Sequence, residues 1–193
     1  MSEWPGWSEA ESGGKFQNEE ITVANFKPAF QQMIKREGGY RLHKVAGDRG
    51  GQTYAGIARN YHPDWQGWAI IDKGELHNDR LVPMVRGFYR VNYWQRIGGS
   101  DISHQHVAET LFDFAVNAGV ATAVKLAQAV VGVAPDGIVG PKTIAALTQA
   151  DPEQFIVHYA LAKIARYAKI CTRDPSQKKF LLGWINRALE VTV

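Results

Sequence analysis

The sequence predicts a mostly helical protein with one small β-hairpin, and three observations predict it. Apolar residues recur at three- and four-residue spacing in segment after segment, the period of one buried helix face. Those segments are bracketed by capping residues at their starts and by glycine or proline at their ends. The run Gly47-Asp48-Arg49-Gly50-Gly51 reads as a tight turn between short segments at 40–45 and 52–57 that can pair as a hairpin. The 193 residues, 45% hydrophobic and 11% aromatic, suffice for one sizeable core or for two small domains packed together. This composition lies far from that of disordered chains.

Residues 1–24 contain Trp4, Pro5, Trp7 and a polar run, and are expected to be a poorly ordered leader. The first helix begins after Asn25, with Phe26, Phe30, Met33 and Ile34 on its buried face. Continuing that register places Glu37 on the same face in the last turn, where Gly38-Gly39 stops the helix. An apolar stripe and the negative end of the helix dipole both disfavour a carboxylate there. Such an acid suits proton donation near neutral pH, although a frayed, solvent-facing helix end is the alternative. The turn can carry Asp48 and Thr53 back over this helix end, so that two carboxyls and a hydroxyl face one cleft. Glycoside hydrolysis needs an acid for the leaving oxygen and a carboxylate for water or the oxocarbenium ion. Gly-rich turns with an Asp are mostly structural, so the hairpin gains meaning only beside Glu37.

The stretch Tyr61 to Trp68 is rich in aromatics. Trp65 and Trp68, three residues apart, either stack on sugar faces or anchor the core. A helix is expected over 78–93, with Leu81, Val85, Phe88 and Tyr89 on one face. Gly98-Gly99-Ser100 breaks the chain between a catalytic lobe, 25–100, and a helical lobe, 101–193. Asp101 or Ser103 is expected to cap the next helix, striped by Val107, Leu111, Phe114 and Ala118. Asp113 and Asn117 share a face of it and either support the site or hold the helix end. A short helix over 121–131 follows. Asp136-Gly137 and Gly140-Pro141 then turn into another helix. Asp151-Pro152-Glu153 opens the longest helix, to about residue 172, and a final helix over 176–190 is expected to pack Phe180, Leu181, Trp184, Ile185 and Leu189.

Glu37-Gly38-Gly39-Tyr40, Asp48-x-Gly50-Gly51-x-Thr53 and Gly56-Ile57 together resemble the catalytic region of the bacterial and phage N-acetylmuramidase family, glycoside hydrolase family 108, once called secretion-activating proteins. The order Glu, Asp, Thr is also similar to the triad of phage-type lysozymes. The resemblance implies a lysozyme-like helical fold, Glu37 as general acid, and Asp48 with Thr53 handling the water. Tyr40, Gly51, Tyr54, Trp65, Trp68 and Asn117 are the candidate substrate contacts. Members often carry a large residue before Gly-Ile, where this chain has Ala55. The runs Val116 to Gly119, Leu126 to Gln128 and Asp136-Gly137-x-x-Gly140-Pro141-x-Thr143 resemble a predicted peptidoglycan-binding helical domain often fused to that family. Gly183-Trp184-Ile185-Asn186-Arg187 resembles the family's terminal motif.

Other chemistries find less support. His104 and His106, two apart, do not share a helix face, and no His-Glu-x-x-His occurs, so no metal or cofactor is expected. The single Cys171 offers neither a disulfide framework nor a thiolate zinc site, and no Gly-x-Ser-x-Gly elbow occurs. Phosphate-binding glycine patterns are missing, and a net charge of +3 is too small and scattered for nucleic acid. With a pI near 9.0 the chain suits an anionic polymer such as the cell wall. No apolar run approaches the roughly 20 residues of a membrane span, and the N-terminus does not look like a standard signal peptide. A monomer is expected, made in the cytoplasm and acting on peptidoglycan glycan strands as a prophage endolysin or an exported enzyme. A lytic transglycosylase and a non-catalytic wall-binding or secretion-assisting protein are the rival readings.

Overall fold

The computed structural model describes residues 23–44 and 50–190. The leader up to residue 22, Asp48 with the rest of 45–49, and the last three residues lie outside them. Asn25 caps α1 (Phe26–Arg36), its side-chain oxygen accepting from Lys27 N at 2.8 Å. Phe26, Phe30, Met33 and Ile34 are buried, as their spacing predicts. Ala24, at the end of the predicted leader, is already buried and donates its N–H to Ile102 O at 2.8 Å.

The hairpin forms from β1 (Leu42–Lys44) and β2 (Gln52–Tyr54), with His43 opposite Thr53 and Leu42 opposite Tyr54. The sheet has a third strand, β3 (Ile57–Ala58), where the sequence predicts a single returning segment. The cause is local: Ala55 (φ +50°) and Gly56 (φ +79°) make a two-residue turn with both central residues left-handed, the geometry that matches strand twist. Alanine there costs about 1 kcal/mol, and complete burial of Ala55 in the core offsets it.

After α2 (Trp68–Ile71), α3 (Leu81–Tyr89) runs on into a π-helical turn, Arg90–Trp94. Two 3₁₀ turns around Gly98 lead to α4 (Gln105–Ala118), which is buried without a break from Val107 to Ala115. A helix buried on every side belongs at the centre, and α4 packs against α1, α5 (Val120–Val130) and α7 (Pro152–Arg173). The expected cap by Asp101 or Ser103 is corrected: the cap position is His104, and no side chain bonds there. The preceding 3₁₀ turn takes up Asp101, and the Ser103 hydroxyl is buried without a partner. Gln105 ties the start of α4 to α1 instead, accepting from Asn25 N at 2.6 Å and donating to Asn25 O at 3.1 Å.

α6 (Pro141–Gln149) begins on its proline, and Asp151 caps α7 through Gln154 N at 2.8 Å. The final helix is shorter than expected. Asp174 accepts from Ser176 N and Gln177, holding Pro175–Phe180 in a 3₁₀ turn before α8 (Leu181–Leu189). Ala188 is the buried residue of α8, and Trp184 packs on Tyr167 at 5.1 Å. Phe180 and Leu189, expected to pack, are instead 47% and 42% exposed, Phe180 in the preceding turn and Leu189 on the side of the helix that faces away from α7. A continuous core nonetheless runs from Ala24 to Ala188, binding the first and last helices into one cluster. Among the described residues no helix is long and apolar enough to cross a membrane.

Candidate active site

α1 ends in a full glycine cap. Gly38 (φ +83°) donates to Lys35 O at 3.1 Å, and Gly39 (φ +75°) donates to Ile34 O at 2.9 Å. Both glycines hold a conformation that a residue with a Cβ resists, so the chain reverses sharply and Glu37 is left as the cap residue. Its side chain is 24% exposed and lines a groove of about 390 Å³ with Gly38, Arg41, Leu42 and His43.

The turn of the sheet closes on this carboxylate. A Cβ added at Gly56 would stand 3.1 Å from Glu37 Oε2 and would collide with the Tyr89 hydroxyl. Glycine at 56 therefore serves two ends, the left-handed turn and the close approach of an acid to the backbone. Tyr89 donates its hydroxyl to Ala55 O at 2.9 Å, fixing the turn from the side of α3. Burial, then the negative charge of Glu37, push the Tyr89 and Tyr93 hydroxyls above their usual range, so both remain protonated donors beside the acid.

Behind Glu37 lies a cluster of ions instead of the plain apolar wall that the sequence predicts. Arg187, from α8, places Nη2 3.5 Å from Glu37 Oε1. The same guanidinium grips Asp113 of α4 with two bonds, Nε to Oδ2 at 3.3 Å and Nη2 to Oδ1 at 3.1 Å. Arg36 Nη1 meets Asp113 Oδ1 at 3.1 Å, and Arg36 Nε meets Glu190 Oε2 at 3.6 Å. Asp113 is 6% exposed, and an unpaired charge buried that far costs several kcal/mol. Two guanidiniums supply the compensation. Burial works against the charge of Arg187, but Asp113 and Glu37 outweigh it and raise its proton affinity. Beneath Asp113, Lys163 is 3% exposed; burial pulls its ammonium down to about 8 against the attraction of Asp113, with Arg36 and Arg187 adding to the depression.

The remaining predicted residues are spread along the same face and beyond it. Thr53 is buried on the central strand, two residues before the Ala55-Gly56 turn, and makes no direct hydrogen bond to Glu37 among the described residues. Asp48 lies outside the described residues. Gly51 (φ +72°) backs onto the Asn60 side chain. Tyr54 is 2% exposed and stacks on Trp65 at 6.1 Å. Trp65 lines a groove of about 470 Å³ with Tyr61, His62 and Phe88. Trp68 is a core anchor: its indole N–H donates to His62 O at 2.8 Å, and the Arg59 guanidinium sits 5.0 Å above its ring. Tyr40 lines a further groove with Lys27, Lys35 and Arg86, and Asn117 is exposed near the end of α4. The sequence reading contains Arg187 only as part of a terminal motif and assigns Tyr89 only to a helix face. Neither has a local signal, since 150 positions separate Arg187 from Glu37.

Residues 30–119 match the family model described as glycosyl hydrolase 108, and residues 122–189 match that of a predicted peptidoglycan domain. Among solved structures, the chain is similar to that titled Structure of Brucella abortus SagA, with 28% identity and a TM-score of 0.63. The likeness covers 86% of this chain and 95% of that one. No curated protein matches the chain. An acid held at a groove by a glycine-capped helix fits the chemistry of the first family. Residues 30–119 thus belong with the glycosyl hydrolase 108 family and residues 122–189 with a predicted peptidoglycan domain, and together they support a peptidoglycan hydrolase in general terms.

Proposed function

We propose that the enzyme is an N-acetylmuramidase, cleaving the glycosidic bond between N-acetylmuramic acid and N-acetylglucosamine in the cell wall. Glu37 protonates the leaving oxygen, while Asp48 and Thr53 position the water that attacks the anomeric carbon. The observation that carries this reading is the pose of Glu37, half-sheltered at a groove with Oε1 near Arg187 and Oε2 turned to the Gly56 backbone. Among the described residues Oε2 has no hydrogen-bond partner, which leaves it available to carry a proton. Direct attack by water inverts the anomeric centre and requires carboxyls roughly 6.5–9.5 Å apart, so the product anomer reports on the partnership of Glu37 with Asp48. The enzyme reaches the wall either as a prophage endolysin or through a dedicated export route.

Digestion of purified sacculi, wild type beside Glu37→Gln, tests the proposal. Muropeptides with reducing N-acetylmuramic acid ends are expected from the wild type and none from the folded variant. Anhydro ends would assign a lytic transglycosylase instead. A wild-type protein that pellets with sacculi but releases nothing would leave only a wall-binding role.

A further inference from the structure

Arg187 belongs to the last helix and to the segment that matches the peptidoglycan domain, yet its guanidinium reaches the acid of the first helix. We propose that Arg187 is a positioning residue for proton donation by Glu37, so that the C-terminal helix completes the active centre. This rests on the assignment of Glu37 as the acid.

The geometry divides the work between atoms. Asp113 holds Arg187 by the paired bonds of a guanidinium and a carboxylate, an arrangement that fixes orientation as well as distance. Arg36, the neighbour of Glu37, holds the same Asp113 oxygen, so Asp113 is anchored from α1 as well. Arg187 then has one Nη2 direction left, and it points to Glu37 Oε1. A carboxyl donates its proton from one oxygen at a time. Restraining Oε1 stops the group from rotating and presents Oε2 at the Gly56 turn. A proton donor misplaced by about 1 Å can lose a hundredfold in rate, so such restraint is a catalytic matter.

The elements around the acid contribute several titratable or charged groups. α1 brings Arg36, the groove wall at β1 brings Arg41 and His43, α3 brings Tyr89, the π-helical turn brings Tyr93, α4 brings Asp113, α7 brings Lys163 and α8 brings Arg187, with Glu190 beyond it. The tyrosines are protonated, so Glu37, Asp113 and Glu190 face Arg36, Arg187 and Lys163. This balance means that Arg187 can be replaced without leaving Asp113 wholly unpaired. The replacement is therefore a usable experiment.

Rates on soluble, uncross-linked glycan strands are to be measured for wild type, Arg187→Met, Arg187→Lys and Glu37→Gln, with thermal melting of each. Arg187→Met is expected to lower kcat about ten- to a hundredfold with KM held within about twofold. Arg187→Lys, which keeps the charge and loses the fork, is expected to recover part of kcat. If Arg187→Met melts early, the pair Asp113→Asn with Arg187→Met removes both ions, and it is expected to regain melting temperature without regaining kcat. Arg187→Met at wild-type kcat, or with its loss entirely in KM, overturns the inference. An active Glu37→Gln overturns the assignment of the acid instead, so the two failures are told apart.

Discussion

Among the described residues two acids directly precede a left-handed glycine, and their surroundings differ. Glu37 precedes Gly38 (φ +83°), while Asp136 precedes Gly137 (φ +84°). Asp136 Oδ1 accepts from Ile138 N and from Gln128 Nε2, both at 2.8 Å. Those bonds, the backbone one first, hold its carboxyl below the usual range. Gln128, 1% exposed, shares the two N–H groups of its amide among Asp136 Oδ1, Ile138 O and Thr143 Oγ1 and accepts from Gly137 N at 2.9 Å. The polar atoms of that turn are spent on one another. Among the described residues the Glu37 side chain has a single polar contact, 3.5 Å to Arg187, and it lines a groove. Both are glycine turns in the sequence. The distribution of hydrogen bonds separates a brace from a reactive group, because a carboxylate held ionised by two short hydrogen bonds is a poor proton donor.

That contrast can be broken at either end. Glu37→Gln keeps shape and loses the proton, so muropeptide release should fall by about 10²–10⁴-fold with melting nearly unchanged; retained release would place the acid elsewhere. Gln128→Leu attacks the brace. It removes the partner of the part-buried Gly137 N–H and of the buried Thr143 hydroxyl, at a cost of about 1–3 kcal/mol. Denaturant titration should register that loss while hydrolysis of soluble strands persists wherever the protein is folded.

The ions behind Glu37 give a smaller, pH-dependent effect. The folded Lys163 titrates at about 8 against 10.5 for the free side chain, because burial penalises its charge. A depressed value means that the folded state binds fewer protons than the unfolded one between those limits, so stability rises with pH across that window. Below about 8 the buried charge is a standing cost. Lys163→Met should remove the rise and add about 1–3 kcal/mol at neutral pH. Urea midpoints measured from neutral to alkaline pH check it, and an unaltered pH slope would show that Lys163 is solvated. The smallest effect distinguishes the two turns. Gly137→Ala meets the flexible Lys125 arm and, at 3.3 Å, the Ala121 carbonyl, and should cost about 1 kcal/mol with activity intact. Gly56→Ala strains the same kind of backbone but pushes on Glu37 and Tyr89, so its loss should appear in kcat.

Helical periods and capping boxes were legible along the chain because each depends on residues within one or two turns. The buried faces of α1, the glycine stop at Gly38-Gly39 and the starts of α6 and α7 follow from spacings of four residues or fewer, and the hairpin of β1 and β2 joins residues no further apart than Leu42 and Tyr54. The tie between Gln105 and Asn25, 80 positions apart, displaced a local cap. The inward face of α8 was only partly legible for a similar reason: its period is visible, but which side meets the core depends on where α7 lies, and Leu181, Trp184, Arg187 and Ala188 turned inward while Phe180 and Leu189 stayed exposed. The third strand arises because a buried Ala55 accepts a left-handed turn that isolated alanine avoids.

The sequence by itself determined that a carboxylate would end the first helix at a sharp glycine turn, with a second glycine-rich turn downstream, because backbone preferences act over a few residues. Only the tertiary structure decided what surrounds that carboxylate. Arg187, Asp113, Tyr89 and Gly56 come from four distant stretches, and no local preference encodes their meeting. They converge because one hydrophobic core closes the first helix against the last, and charges carried into that core must find partners there.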